Sequence, residues 1–148
     1  MFWYEKHESH TTYMDIRKAT YTAMDRGKER KIEISPDIQA DFRNMPFEDN
    51  TFDLVVFDPP HLIRAGKSSW LAKKYGTLDK LQGMNDLAKG FNEGMRVLKP
   101  TGTLLFKWNQ DQIPFSNVLK ILAKNGYQPI LGDKRSKTKW SVFIKQGA

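Results

Sequence analysis

The chain contains no cysteine. Disulfides, thiolate metal sites and thiol nucleophiles are therefore excluded. Long apolar runs are also missing: no stretch approaches the roughly 20 apolar residues needed to span a bilayer. The first residues, Met1-Phe-Trp-Tyr-Glu-Lys-His7, lack the basic start and apolar middle of a secretory signal. A cytoplasmic protein without a membrane partner is expected. Glycine is sparse at the start, with Gly27 standing alone in the first 40 residues. Repeats, low-complexity tracts and linker-like stretches are absent as well, so the 148 residues are expected to form a single domain, 1–148. His7 and His10 have a spacing that suits a metal, but no third ligand follows at a matching distance, and no metal is expected.

What is present is positive charge. The formal net charge is +7 and the pI is near 9.6. A basic surface favours polyanionic partners, nucleic acid foremost.

Several segments have legible periodicity. Thr11–Arg17 and Ile38–Phe42 are predicted as short strands. Ala19–Ala23 and Lys31–Ser35 alternate on either side of Asp25-Arg-Gly-Lys28, the pattern of a hairpin. Leu54-Val-Val-Phe57 is a continuous apolar run that suits a buried strand. Asn85 to Leu98 reads as a helix with Leu87, Phe91 and Met95 on one stripe. Thr103–Trp108 is the next strand and Phe115–Asn125 the next helix, with Gly126 just past its end. Tyr127–Leu131 and Lys139–Lys145 close the chain as two antiparallel strands. This order implies an α/β fold: Rossmann-like, with a mainly parallel sheet, an antiparallel C-terminal hairpin and a reduced N-terminal third.

Ligands of open parallel sheets sit beyond the carboxyl ends of the strands. Asp58-Pro-Pro-His61 ends one strand, and Lys107-Trp-Asn109 ends another. Taken alone, Asp-Pro-Pro reads first as a capped turn and a stopped strand.

The wider context resembles a known superfamily. Asp41-Phe-Arg-Asn-Met-Pro-Phe47, Phe52-Asp-Leu-Val-Val-Phe57 and Arg96-Val-Leu-Lys-Pro-Thr-Gly-Thr-Leu-Leu-Phe106 resemble, in that order, the class I S-adenosylmethionine (SAM)-dependent methyltransferases. Asp58-Pro-Pro-His61 resembles the motif of the amino-methyltransferases that modify exocyclic amines of nucleobases. The resemblance implies SAM as cofactor, with Asp41 near its adenine amino group, Phe42 on the adenine ring and Glu33 on the ribose. It implies Asp58, Pro59, Pro60 and His61 as the catalytic loop. An exocyclic amine is a poor nucleophile because its lone pair is delocalised. The Asp58 carboxylate and the carbonyl after Pro59 would accept its two N–H bonds, and His61 would stack on the base. Proline has no N–H and a fixed φ, which makes such a loop rigid and acceptor-rich. The Gly-x-Gly loop of the superfamily is missing; Tyr13–Lys18 is its nearest equivalent and makes Asp15 a candidate for cofactor contact.

Lys67 and Trp70, Lys107, Trp108 and Asn109, and Lys134 and Arg135 are candidate substrate-binding residues. Basic side chains interleaved with aromatics suit phosphate contact and base stacking. Lys73, Lys74, Tyr75, Lys137 and Lys139 extend the same pattern. Target recognition is expected from these segments, from a second copy in a homodimer, or from a partner subunit. Two other functions fit the residues: methylation of a protein or small-molecule amine, and a non-catalytic, nucleic-acid-binding subunit of methyltransferase type.

Overall fold

The computed structural model describes residues 3–66 and 68–147, so the candidate Lys67 lies outside the described residues. Four strands occupy the first 40 residues: β1 (Met14–Asp15), β2 (Ala19–Asp25), β3 (Lys28–Ile34) and β4 (Ile38–Gln39). The expected hairpin is β2–β3, in register from Ala19↔Ile34 to Asp25↔Lys28. Arg26 and Gly27 both have positive φ, 50° and 77°. Two such residues match the right-handed twist of the flanking strands, and glycine adopts that conformation without steric cost. The hairpin lies between two parallel partners, because β1 pairs with β4 at Met14↔Ile38 and Asp15↔Gln39. Both are two residues long. The longer strands expected at 11–17 and 38–42 are therefore cut short. Arg17 folds back onto Asp15, and the chain turns at Asp41, where Asn44 N–H donates to the Asp41 carbonyl.

The main sheet contains β5 (Phe52–Phe57), β6 (Leu98–Asn109), β7 (Leu131–Gly132) and β8 (Thr138–Ile144), in the order β5-β6-β8-β7. β5 and β6 run parallel, whereas β6–β8 and β8–β7 are antiparallel. The α/β class is as expected, and so is the antiparallel C-terminal pair, but the sheet is mixed and not mainly parallel. The expected strand 127–131 shrinks to Leu131–Gly132, because Gly126, at φ 84°, and the turn after it use up its first residues.

Helix α1 (Trp70–Tyr75) is capped by Ser69, whose Oγ accepts from Ala72 N–H at 3.1 Å. Helices α2 (Gly83–Val97) and α3 (Phe115–Lys124) cover the main sheet. Leu87, Phe91 and Met95 line the buried side of α2, and Val118 and Leu122 that of α3. They close on Leu104, Phe106, Trp108 and Phe143, which are at most 1% exposed. Phe106 lies at the centre of the ring cluster, stacked on Phe57 and Trp108 and edge-on to Phe91. Lys145 donates to the carbonyls of Arg96 and Leu98, satisfying acceptors that the end of α2 leaves open. No helix among the described residues is long and apolar enough to cross a membrane.

Candidate functional site

The carboxyl ends of β1, β4, β5 and β6 supply the chemistry-bearing side chains. Asp15 ends β1, and its carboxylate accepts from Arg17 N–H at 2.8 Å and from both sides of the Arg17 guanidinium at 3.1 Å. Asp41 follows β4 and repeats the arrangement with Arg43, from backbone N–H at 2.8 Å and guanidinium at 2.6–3.0 Å. The Arg43 guanidinium beside Asp41 holds its carboxyl below the usual carboxylate range. Arg43 also reaches Asp86 of α2 at 3.3 Å. Two successive Asp-x-Arg turns thus project two oriented carboxylates from neighbouring parallel strands.

Phe42 packs inward. Its ring meets Phe57 edge-on at 5.5 Å, and the Gly90 position faces Phe42 and Phe57 so closely that a Cβ there would fall 2.8 Å from Phe57 Cζ. Phe42 therefore anchors the Asp41 turn to the main sheet. Glu33 is exposed on β3, in register with Thr20.

Asp58 follows β5 directly. Lys107, on the parallel neighbour β6, donates from Nζ to Asp58 Oδ2 at 3.2 Å, with both side chains largely buried. Lys107 thus faces the carboxylate, and its Nζ also lies 5.9 Å from the Trp140 ring centre. Pro59 is buried and Pro60 half-buried. A Cβ on Gly76 would lie 3.4 Å from Pro60 Cγ and 3.6 Å from Arg17 Cζ, so the Asp15–Arg17 turn and the Asp58 loop meet at the end of α1. His61 lies 5.6 Å from Tyr75 and 6.3 Å from Trp108, centre to centre. Burial pulls the His61 imidazole below its ordinary value; the Asp58 carboxylate opposes this and the Lys107 charge adds to it. A neutral imidazole at neutral pH follows.

Trp108 is 1% exposed, and its indole N–H donates to the Ile113 carbonyl at 3.0 Å. It backs His61 from within the core. Asn109 is half-buried, and its Nδ2 donates to Thr138 Oγ1 at 3.3 Å. Lys134 and Arg135 are exposed on the loop between β7 and β8, which meets the end of β6 where Gln110 N–H donates to the Lys137 carbonyl. Lys139, at the start of β8, is turned inward, 6% exposed, and donates to the Lys134 carbonyl at 2.7 Å, while Lys137 of the loop pairs with Asp111. Trp70 is half-buried on α1.

Two residues of the site were given no role by the sequence: Gln112 lies outside every motif, and Arg96 stands at the head of one. Gln112 Oε1 accepts from Ile63 and Arg64 N–H at 2.7 and 2.8 Å, and its Nε2 donates back to the Arg64 carbonyl. It holds the chain leaving the Asp58 loop against the segment after β6. Arg96 donates to the carbonyls of Met45 and Phe47 and to Glu93 and Asp49, fixing the Met-Pro-Phe turn on α2. Only tertiary placement shows what either residue holds. A separate depression of about 450 Å³, lined by Ile63, Met84, Ile113 and Ile121, lies between α2 and α3 and includes none of Asp15, Asp41 and Asp58.

In open α/β sheets ligands sit beyond the carboxyl ends of the strands, where Asp15, Asp41 and Asp58 lie. Residues 1–58 match the methyltransferase domain family, for which S-adenosyl-L-methionine is the methyl donor. Solved structures to which the chain is similar include a methyltransferase from Pyrococcus furiosus (20% identity over 66% of this chain and 43% of that one, TM-score 0.41). A putative S-adenosyl-L-methionine-dependent methyltransferase from Methanococcus maripaludis is 22% identical over 75% of this chain and 54% of that one, with a TM-score of 0.45. A SAM-dependent methyltransferase from Leishmania major is 16% identical over 72% and 43%, with a TM-score of 0.46. The chain spans about half the length of these proteins. No curated protein matches it in sequence.

Proposed function

We propose that this chain is a SAM-dependent methyltransferase domain, formed by residues 1–148 together, that N-methylates an exocyclic amine of a nucleobase in a nucleic acid. The observation that carries the reading is Asp58 at the end of β5, with its carboxylate held by Lys107 and two prolines behind it. Beside it stand the rings of His61, Tyr75 and Trp108.

Asp41 would hold the adenine amino group of the cofactor and Asp15 the ribose hydroxyls, because the two carboxylates end paired strands. The donor set fits: a nucleoside presents N–H and O–H groups, and both aspartates are acceptors already oriented by their arginines. When bound, SAM supplies an electrophilic methyl group on a sulfonium. Asp58 and the Pro59 carbonyl accept the N–H bonds of the target amine and localise its lone pair on nitrogen. Lys107 holds the Asp58 carboxylate in position. His61, neutral and backed by Trp108, offers its ring for stacking on the extruded base. Catalysis of this kind rests on positioning and fixed charges and not on a metal. Lys134, Arg135 and Asn109 border the same sheet end and would contact the substrate. A cytoplasmic location and recognition helped by a second copy or a partner subunit belong to the same reading.

Calorimetric titration with SAM, followed by a radiolabelled methyl-transfer screen over DNA, RNA, protein and small amines, tests it. Binding in the micromolar range and transfer to nucleic acid are expected. No binding at high micromolar cofactor sinks the reading, and transfer to protein or to small amines alone overturns the nucleobase assignment.

A further inference from the structure

The β2–β3 hairpin joins the site through a line of side chains that alternates cations and rings. Strand alternation sorts the charges of β3. Arg30 is in register with the buried Ala23, and Lys28 with Asp25, so both share the face turned to α1. Glu29, Lys31 and Glu33 fall on the other face. The Arg30 guanidinium stands 5.9 Å from the Trp70 ring centre and pairs with Asp25 at 3.1 Å. Lys74 Nζ stands 5.9 Å from Trp70 and 5.1 Å from Tyr75. Tyr75 is followed by His61 at 5.6 Å, and His61 adjoins Asp58 in the catalytic loop. Three segments distant in sequence thus build one continuous strip. The strip is seated firmly: Lys73 Nζ donates to the Thr22 carbonyl at 3.1 Å, and Arg17 donates to the Lys73 carbonyl at 2.8 Å. The two-residue turn at Arg26-Gly27 keeps the hairpin tip short and basic.

Cation–ring contacts alone would staple a hairpin to a helix. A staple needs one such pair, however, and it does not need further exposed cations at the tip or a run of rings ending at the active loop. Segments 19–34 and 70–75 carry six Lys and Arg against three Asp and Glu, and two of those acids lie on the far face of β3. Alternating cations and aromatic faces match a strand whose phosphates and unstacked bases alternate in the same way. A duplex hides its base faces and would use only the cations.

We infer that this strip is the track along which a single strand of nucleic acid reaches the Asp58 loop. The inference rests on the nucleobase reading above. Because the strip offers charge and ring faces only, it takes DNA and RNA alike.

The test is fluorescence anisotropy with labelled 12-mers of oligothymidine and oligouridine, a 12-base-pair duplex, and vesicles containing anionic lipid. Single strands of both sugars are expected to bind at least ~10-fold more tightly than the duplex. The double variant Arg30→Glu/Lys28→Glu should weaken single-strand binding ~10-fold or more and reduce the slope of log affinity against log salt by about 1.4, for two lost phosphate contacts on a single strand. Arg30→Gln/Lys28→Gln, checked by its unfolding midpoint, covers the case in which reversal unseats the hairpin. Trp70→Ala should weaken binding several-fold and leave the salt slope unchanged, a split that a merely structural role for the ring does not produce. Methylation of free adenosine or cytidine by the hairpin variants should stay near wild type while KM for a 12-mer containing that amine-bearing base rises. If no substrate is methylated but the binding pattern holds, the track stands and the catalytic reading falls. Equal or tighter binding of duplex or vesicles, or wild-type single-strand binding by the hairpin variants, overturns the track.

Discussion

The chain up to the Asp41 turn and the rest of it are held together in different ways. Among β1–β4, Ala23 is the one buried residue, and the strands depend on hydrogen bonds and ion pairs: Arg17 to Asp15, Lys73 to the Thr22 carbonyl, Tyr13 N–H to Asp37. The main sheet instead closes on stacked rings, with Phe91, Phe106, Trp108 and Phe143 almost wholly out of water. Polar contacts near the surface contribute little each, whereas a buried ring contributes several kcal/mol. The division matches the proposed chemistry. Carboxylates that must meet a polar cofactor sit on the lightly held part, and Asp58, which must hold a fixed position, grows from the rigid sheet. Segments of low local stability open first, and ligand-contacting parts are commonly drawn from them.

The sharpest way to break this comparison is to remove one carboxylate from each region. Asp58→Ala should lower kcat by about a hundredfold to a thousandfold and leave SAM affinity within several-fold, by analogy with removal of a transition-state contact. Asp41→Ala should do the reverse, raising the Kd for SAM by about tenfold with less effect on kcat, as loss of charged hydrogen bonds implies. Titration calorimetry and steady-state methylation kinetics read both. Near-normal turnover by Asp58→Ala would remove the amine-binding role.

Stability should divide along the same line. Phe106→Ala should cost about 3–5 kcal/mol in urea unfolding. Met24→Ala, in the exposed hairpin at 62% exposure, should stay within about 0.5 kcal/mol. Equal losses would mean that the two regions unfold as one unit with shared packing. Gly90→Ala tests the seam between them, because a methyl there runs into Phe42 and Phe57. A loss of about 1–3 kcal/mol is expected, read from the same urea curves.

The smallest effect concerns pH. Burial lowers the folded His61 pKa below that of the unfolded chain. Between those two values the unfolded chain binds more protons, so this contribution to stability is complete above about pH 6.5 and is lost as pH falls through the window. Urea midpoints measured from pH 7.5 down to 5 should fall less steeply in His61→Gln than in wild type. An unchanged slope would mean that His61 titrates freely.

Much of this fold was legible in the chain. The hairpin at 19–34 follows from alternation around Asp-Arg-Gly-Lys, and α2 from the spacing of Leu87, Phe91 and Met95, because those periods report which side faces the core. Asp58 at a strand end followed from the apolar run Leu54–Phe57 before it, whereas Asp15 and Asp41 fall inside the strands expected at 11–17 and 38–42 and reach strand ends only because β1 and β4 are so short. Short strands were less legible: β1, β4 and β7 have two residues each, too few to set a period.

Which side chains meet was decided by tertiary structure. By itself the sequence determined the longer elements, the basic charge and the place of Asp58 at the end of an apolar strand, since each depends on neighbours within a few residues. That Lys107 faces Asp58 across 49 positions, that Gln112 and Arg96 clamp the two functional turns, and that Arg30 lies over Trp70 depend on strand register and helix docking. Those contacts are made only when segments far apart in the chain bury their apolar faces together, and no local pattern encodes the partner.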